Sequence, residues 1–520
     1  MTNAPVDLLA AHAAANPDKP AVVDDRPGRP PEIWSWAELN RQANKLGNAL
    51  HALGIRPGQT VVWCGMNSPG VVRMMHAARK AGVTSVPLNY RLTAEEAAYI
   101  IDDCDAVAVY ADADFAPLFA QVRPHTPKVK QWLIYGGVTP SDMTDVDAQV
   151  AAASDAKPRV DWSDASDLTM IYTSGTTGRP KGAVRSAVGD PELTRNLLAF
   201  VGYVPDDVYL TTGPLYHSGP GGFMAIAHAL GNTVVLQRKF DAEDWLRLVQ
   251  TWRVTTTFSA PTPIRLVCQL PAEVKARYDR SSMRRMIANA APWSYALKEL
   301  YLENFPEDSL WEVYGSTELG VDTLLRPEDQ RRKPGSCGRP APGVEIGLFD
   351  EEGNRIEKPH LPGELFVRSH SAFRTYHKAQ DKFEKGRRGE WLTVGDVAYF
   401  DDEGFFYICD RKNDMIISGG MNIYPAEIEA ALDRHPDVMD VAVIGIPSDE
   451  WGEAVHAVVR PRDARLDAET LIAWAREHLA SYKIPRSISF VDEIPRNASG
   501  KILKKVLREP FWAGHERRVG

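Results

Sequence analysis

Behind Ser35 the apolar residues Leu39, Ala43, Leu46, Leu50 and Leu53 recur three and four apart until Gly54. That spacing places them on one face and predicts an amphipathic helix ending at the glycine. Ser35 and Glu38 stand as a capping box, with Trp34 and Leu39 at the flanking staple positions. Thr60-Val61-Val62-Trp63-Cys64 is short and continuously apolar, the pattern of a buried strand. Comparable strands are predicted at 107–110, 168–172 and 233–236, separated by amphipathic stretches such as 95–101 and 244–252. This alternation predicts an α/β region. Past residue 333 the rhythm breaks at Gly335, Gly338, Pro340, Pro342, Gly343 and Pro362-Gly363, and strands such as 364–367 follow. Residues 335–410 therefore read as a β-rich section. A last unit shows a helix through 425–429, strands at 440–446 and 454–459, a helix at 469–479 and a strand at 488–491. It has an apolar pattern of its own, as an independent α+β domain would. The expected division is a large α/β region with several subdomains over 1–410, a short charged hinge at 411–414 and a small C-terminal domain over 415–520.

A chain of 520 residues, 44% hydrophobic and 25% charged, can build several packed cores and is not disordered. Its 60 Lys and Arg against 69 Asp and Glu leave a net charge of −9. That disfavours a nucleic-acid partner recognised through a general basic field. The five cysteines, Cys64, Cys104, Cys268, Cys337 and Cys409, form no CxxC pair. Neither a disulfide framework nor a structural zinc site is indicated, and a reducing compartment fits. The N-terminal residues carry no early basic cluster and include Asp7, so they do not read as a signal peptide. No run approaches the ~20 apolar residues of a membrane span. A cytoplasmic enzyme is expected, with peripheral membrane contact and self-association left open.

The most informative segment is Tyr172-Thr173-Ser174-Gly175-Thr176-Thr177-Gly178-Arg179-Pro180-Lys181-Gly182, which follows a predicted strand. Glycines let backbone N–H groups curl round an anion, hydroxyls donate to phosphate oxygens, and Lys181 adds charge. It is not a Walker A loop, because the spacing fails after Gly175 and Gly follows Lys181. Composition alone would allow a plain Ser/Thr/Gly surface loop. The order of residues behind an apolar strand favours a phosphate cradle.

Further motifs follow in order: Pro214-Leu215-Tyr216-His217, Asn289-Ala290-Ala291-Pro292, Tyr314-Gly315-Ser316-Thr317-Glu318, Gly395-Asp396, Asp410-Arg411-Lys412-Asn413-Asp414, Ser418-Gly419-Gly420-Met421-Asn422-Ile423-Tyr424-Pro425, and Pro495-Arg496-Asn497-Ala498-Ser499-Gly500-Lys501. With the loop, they make the chain resemble the adenylate-forming superfamily of acyl-CoA synthetases, luciferases and peptide-synthetase adenylation domains. Among these it most resembles the AMP-forming fatty acyl-CoA synthetases. The resemblance implies that a carboxylic acid and ATP give an acyl-adenylate and pyrophosphate, and that CoA then takes the acyl group. By the same resemblance Tyr314 lies against adenine, with Gly315 and Ser316 beside it, and Asn289 to Pro292 form the other side. Thr317 donates to the α-phosphate and Glu318 holds Mg²⁺. Asp396 and Arg411 meet the ribose, and Lys501 bridges the carboxylate and phosphate. His217 lines the carboxylate site, Gly419 and Gly420 leave room for pantetheine, and the C-terminal domain swings about 411–414 between the two steps.

Four departures from the family pattern stand out. Asn289 occupies a position where Gly or Ser is common, so its amide is expected to reach the purine. Val394 replaces a threonine before Gly395-Asp396, with Thr393 one place earlier. Asn413 stands where the family has Asp or Lys. Arg185-Ser186-Ala187 occupies a region that often contains a histidine. Gly219, Gly221, Gly222, Phe223 and Met224 after His217 suggest a roomy apolar channel, which favours medium- or long-chain fatty acids because each buried CH₂ gains ~0.8 kcal/mol. An aromatic acid–CoA ligase and a non-catalytic nucleotide-binding relative are the alternatives.

Overall fold

The computed structural model describes residues 5–513 except 164, 166–167, 174–179, 187–190, 290–292, 413, 420 and 497–501. Among the described residues, two large, mostly parallel sheets stand side by side. One has nine strands, with Leu310–Ser316, Arg285–Ala288, Thr256–Ser259, Val208–Thr211, Thr233–Leu236 and Pro20–Asp24 running consecutively through its middle. The other has eight, centred on Leu168–Thr173, Thr84–Pro87, Thr60–Cys64 and Ala106–Asp112.

The helix predicted behind Ser35 runs Trp36–Ala52 and lies between these sheets with Pro69–Ala81. Its Trp36, Leu39, Leu46 and Leu50 share one core with Val61 and Trp63 of one sheet and Val22 and Leu236 of the other. Each such side chain contributes about 1.5–3 kcal/mol when fully buried, so this helix layer is the main bond between the sheets. The outer faces are covered by Trp245, Leu246 and Val249 on one side and by Ile100, Ile101 and Phe119 on the other.

The capping box at Ser35 forms only halfway. The Ser35 hydroxyl accepts from the Glu38 N–H at 3.3 Å, but the Glu38 carboxylate turns to Arg41 and Gln42. Two side-chain partners one turn ahead outcompete a single backbone N–H. A complete box instead caps Ala94–Asp103, where Thr93 and Glu96 satisfy each other's backbone donors.

The β-rich section is a six-stranded sheet that includes Glu345–Phe349, Gly363–Arg368, Asp396–Phe400 and Phe406–Arg411. A five-stranded sheet uses only strands after residue 415, with the long antiparallel pair Val438–Ser448 and Gly452–Pro461 at its centre. The helices Pro425–Leu432 and Ala468–His478 bury Ile428, Leu432, Leu471 and Ala475 against it. The fold is α/β with a smaller C-terminal α+β unit. All five cysteines are free thiols. No helix among the described residues is long and apolar enough to cross a membrane.

Candidate active site

Three motif-bearing segments sit at the carboxyl ends of strands, where open α/β sheets bind ligands: Thr173 ends Leu168–Thr173, Asn289 follows Arg285–Ala288, and Ser316 ends Leu310–Ser316. Thr173 and Lys181 are antiparallel partners that bracket the phosphate-loop motif. Ser174, Gly175, Thr176, Thr177 and Gly178 lie outside the described residues. The Thr173 hydroxyl donates to Glu318 Oε1 at 3.0 Å, and the Tyr376 hydroxyl donates to the same oxygen at 3.0 Å. The Phe373 N–H holds the Glu318 carbonyl at 2.7 Å. Glu318 is thus anchored by backbone and side chain while only 8% exposed. Among the described residues no protein group donates to its Oε2, so one oxygen is left for a cation, a fit to an ion that takes one carboxylate and completes its shell with water and phosphate oxygens. Lys181 Nζ sits 5.5 Å from the Tyr376 ring centre. Burial lowers its pKa, with Lys382 adding to the effect and Glu318 opposing it.

Tyr314 donates to Asp396 Oδ2 at 2.6 Å, and Arg411 Nε lies 3.4 Å from Oδ1. Asp396 and Arg411 are direct partners on adjacent strands, so sheet register alone brings them together. Gly315 is required by close packing: a Cβ there would stand 1.9 Å from the Gly320 carbonyl oxygen. The Ser316 hydroxyl accepts from the Leu319 N–H at 3.0 Å, and the Thr317 and Ser218 hydroxyls meet at 2.8 Å.

Two of the departures resolve physically. The Asn289 amide, expected to reach a purine, donates to the Val313 carbonyl at 2.6 Å and ties two strand ends together. Ala290, Ala291 and Pro292 lie outside the described residues. The hydroxyl thought lost at Val394 is supplied by Thr393, which accepts from the Gly395 N–H at 2.9 Å and shapes the left-handed turn at Gly395, φ 84°. It serves the backbone before Asp396.

Arg185 has no counterpart in the motif reading. Its guanidinium donates to the Thr317 carbonyl and, at 2.7 Å, to the Ser371 carbonyl. It thereby clamps the segment that carries Thr317 and Glu318. Near it Asp322 is fully buried, with neither carboxyl oxygen hydrogen-bonded. Burial pushes its pKa well above the carboxylate range, Asp396 adds to this and Arg185 opposes it. Tyr376, Arg185 and Asp322 belong to no recognisable motif; the sequence flags Asp322 only as a lone aspartate inside an apolar strand, and Arg185 only as standing in a region where the family often has a histidine.

His217 caps Ser218–Ala229 without a side-chain hydrogen bond, and burial lowers its pKa to about 4. Apart from the buried Asp322, these site side chains line one cavity of about 3280 Å³, which continues past Gly222, Phe223 and Met75 and reaches Arg496, Ile502 and Leu503 of the C-terminal unit. Gly222 borders open space, whereas a Cβ on Gly219 would strike the Phe258 ring and one on Gly221 the Leu215 carbonyl. Gly419, with φ 58°, is exposed beside the Trp451 ring, which would sit 2.8 Å from an added Cβ. Gly420, Asn413 and Lys501 lie outside the described residues.

The junction between the units is densely paired. Asp410 Oδ2 accepts from the Ala426 N–H at 3.1 Å, Lys504 reaches Asp410 at 3.7 Å and Glu429 at 2.8 Å, and Arg508 pairs with Asp414 at 2.8 Å.

Residues 9–377 match the AMP-binding enzyme family, and residues 427–501 match the AMP-binding enzyme C-terminal domain. The chain belongs to the AMP-binding enzyme family. It is similar to a feruloyl-CoA synthase of an Amycolatopsis species, 34% identical across 92% of this chain and 94% of the relative. It is also similar to a long-chain-fatty-acid–CoA ligase of Mycobacterium tuberculosis, 32% identical across 92% and 93%. Among solved structures, ATP-bound MatB of Rhodopseudomonas palustris superposes with a TM-score of 0.85 at 29% identity, over 98% of this chain and 99% of that one. The adenylate-forming fold and enzyme class expected from the motifs hold for this chain.

Proposed function

We propose that this AMP-binding enzyme is an acid–CoA ligase that forms an acyl-adenylate from a carboxylic acid and ATP, then transfers the acyl group to the CoA thiol. The observation that carries the reading is the Glu318 cluster: a carboxylate fixed by Thr173 and Tyr376, with one oxygen open, between the phosphate-loop strand and Thr317. Carboxylate attack on an α-phosphate brings like charges together, so the site must place donors and cations where charge accumulates. The backbone and hydroxyls of 173–178 and Lys181 bind the outer phosphates. The Thr317 hydroxyl exchanges its Ser218 partner for an α-phosphate oxygen. Tyr314 packs on adenine between Gly315, Ser316 and 289–292. Asp396 keeps Tyr314 and Arg411 and still has lone pairs for ribose hydroxyls, since a carboxylate offers about four acceptor positions. Mg²⁺ held at Glu318 Oε2 would neutralise phosphate charge.

His217, neutral at pH 7 by its lowered pKa, orients the acid as a hydrogen-bonding wall and not as a cation. Lys501 bridges the carboxylate and the phosphate in the first step. Because Arg496, Ile502 and Leu503 line the cavity while Gly419 and Met421 are exposed, the described arrangement suits that step. The units on either side of 411–414 then reorient so that Gly419 and Gly420 admit the pantetheine arm, a hinge motion.

The acid we favour is a medium- or long-chain fatty acid, supported by the open space beside Gly222 and the apolar wall of Met75, Leu215 and Met224. An aromatic acid has its own support in the stacked Phe223–Phe258 pair, with ring centres 5.0 Å apart. Pyrophosphate release, with and without CoA, over acids from acetate to stearate and a set of benzoates tests both. CoA-stimulated release with at least one acid is expected. Release with no acid in the set would overturn the ligase reading, and a benzoate optimum would replace the fatty-acid one.

A further inference from the structure

The same cavity has a polar feature that adenylate chemistry does not use. His76, on Pro69–Ala81, and His228, on Ser218–Ala229, meet with Nε2 and Nδ1 2.9 Å apart and ring centres 5.0 Å apart. His228 is 3% exposed and its Nε2 lies 3.1 Å from the Ala21 carbonyl oxygen. A carbonyl only accepts, so His228 carries its proton on Nε2 and presents a bare Nδ1 when neutral. His76 must then donate through its own Nε2, which leaves its Nδ1 as a bare acceptor. His76 is half-buried and lines the cavity beside Met75, and among the described residues no protein group reaches that nitrogen.

The pair is held in place on its far side. Trp36 packs edge-on to His228 at 5.3 Å, and His12 reaches the Ala229 carbonyl oxygen at 3.0 Å. The nearby Lys80 is neutralised by Asp7 at 2.8 Å and also bonded to Asn40. Burial lowers the pKa of both imidazoles, and for His76 the charges of Lys80 and Arg79 act in the same sense.

We infer that His76 is a specificity-determining residue whose Nδ1 accepts a hydrogen bond from a hydroxyl or N–H on the body of the acid, away from its carboxyl group. The inference rests on the ligase reading for the position of the acid and goes beyond it in naming what that acid carries. A half-buried acceptor with no protein donor is unfavourable until a donor meets it. A neutral imidazole also gives no charge to hold a second carboxylate, so the expected class is a hydroxylated or amino-aryl monocarboxylic acid, not a dicarboxylic one.

The test uses the full chain and two readouts, calorimetric binding of the acid and pyrophosphate release. The probes are decanoate with its positional hydroxy isomers, and cinnamate with 4-hydroxycinnamate. One added hydrogen bond corresponds to about tenfold in affinity. At least one hydroxylated probe is expected to exceed its plain parent by about that factor. His76→Leu should bring the two acids of a pair to within about twofold of each other, whatever its effect on the affinity for the plain acid. His76→Gln, whose NH₂ can serve His228 Nδ1 while its oxygen accepts, should keep the preference. His76→Met replaces the leucine variant if that one does not fold. Wild-type protein that favours no hydroxylated probe in either readout overturns the inference, and so does a preference that survives His76→Leu or His76→Met. Discrimination in binding without turnover would sink the ligase reading alone, whereas turnover without discrimination would sink only the role of His76.

Discussion

The wall around Glu318 and the junction at 410–414 are both rich in polar side chains, yet they are built oppositely. At the wall, neutral hydroxyls from distant segments converge on carboxylates: Thr173 and Tyr376 on Glu318, Tyr314 on Asp396. The bonds run between different sheets, so the wall behaves as one preorganised body. At the junction the contacts divide. Lys412 faces back, its N–H on the Gly395 carbonyl at 2.7 Å and its ammonium on Glu364 at 3.0 Å. Asp414 faces forward to Arg508, and Asp410 to Ala426 and Lys504. The Lys412 ammonium is half exposed, and exposed pairs are worth about 0–1 kcal/mol. Across the cleft, Arg265 and Asp433 are only in long contact at 3.9 Å. Under the proposed reading, the wall proposed to hold phosphates is braced from several directions, while the segment proposed to turn is paired firmly on one side and lightly on the other.

The sharpest test of that contrast is removal of Lys501, the residue that the proposed reorientation would carry. Lys501→Ala should lower acyl-adenylate formation by about 100-fold or more. Thioester formation from supplied acyl-adenylate should be spared. Normal adenylation in the variant, read by pyrophosphate exchange, would show that Lys501 has no part in the step.

On the braced side, Glu318→Gln keeps the Thr173 and Tyr376 bonds nearly isosteric but removes the charge. Adenylation should slow by about tenfold or more, with a raised Mg²⁺ requirement. An unchanged Mg²⁺ titration would count against a metal at Glu318.

Asn413 lies between the backward-facing Lys412 and the forward-facing Asp414. Asn413→Pro would fix φ near −65° and hold one arrangement. We expect unequal loss of the two half-reactions, with the thioester step suffering more. Equal loss in a folded variant, or full activity, would mean that the turn is made elsewhere.

The smallest effect is on stability. Burial, helped by Glu429 and Asp414 and opposed by Lys504, raises the Asp410 pKa from its usual 3.8 to about 6. The folded state therefore binds this proton more tightly than the unfolded chain. The group's contribution is favourable below about pH 4 and is lost as pH rises through 6. Asp410→Asn should flatten the fall in Tm over that window. Parallel wild-type and variant curves would show that the junction carboxyl is not desolvated.

Much of this was legible in the residues alone. Periodicity located Thr60–Cys64 and Thr233–Leu236 to the residue, and the helix behind Ser35 to within one or two. It succeeded because burial on one face or on both leaves a mark at every second or third position. Motif order likewise anticipated the family, since phosphate and ribose recognition demand particular residue types at strand ends. Tertiary structure decided where those side chains spend their hydrogen bonds. Glu38 turned from its own helix cap to Arg41, the Asn289 amide reached the Val313 carbonyl, and Thr393 reached the turn before Asp396. Local sequence lists possible partners, but the partner chosen is whichever competing group the fold brings within about 3 Å. For the same reason Tyr376 and the His76–His228 pair had no signature, and the sequence marked Arg185 as a departure without revealing what it holds. Their partners lie between about 58 and 186 residues away along the chain and become neighbours only when the sheets close on one another.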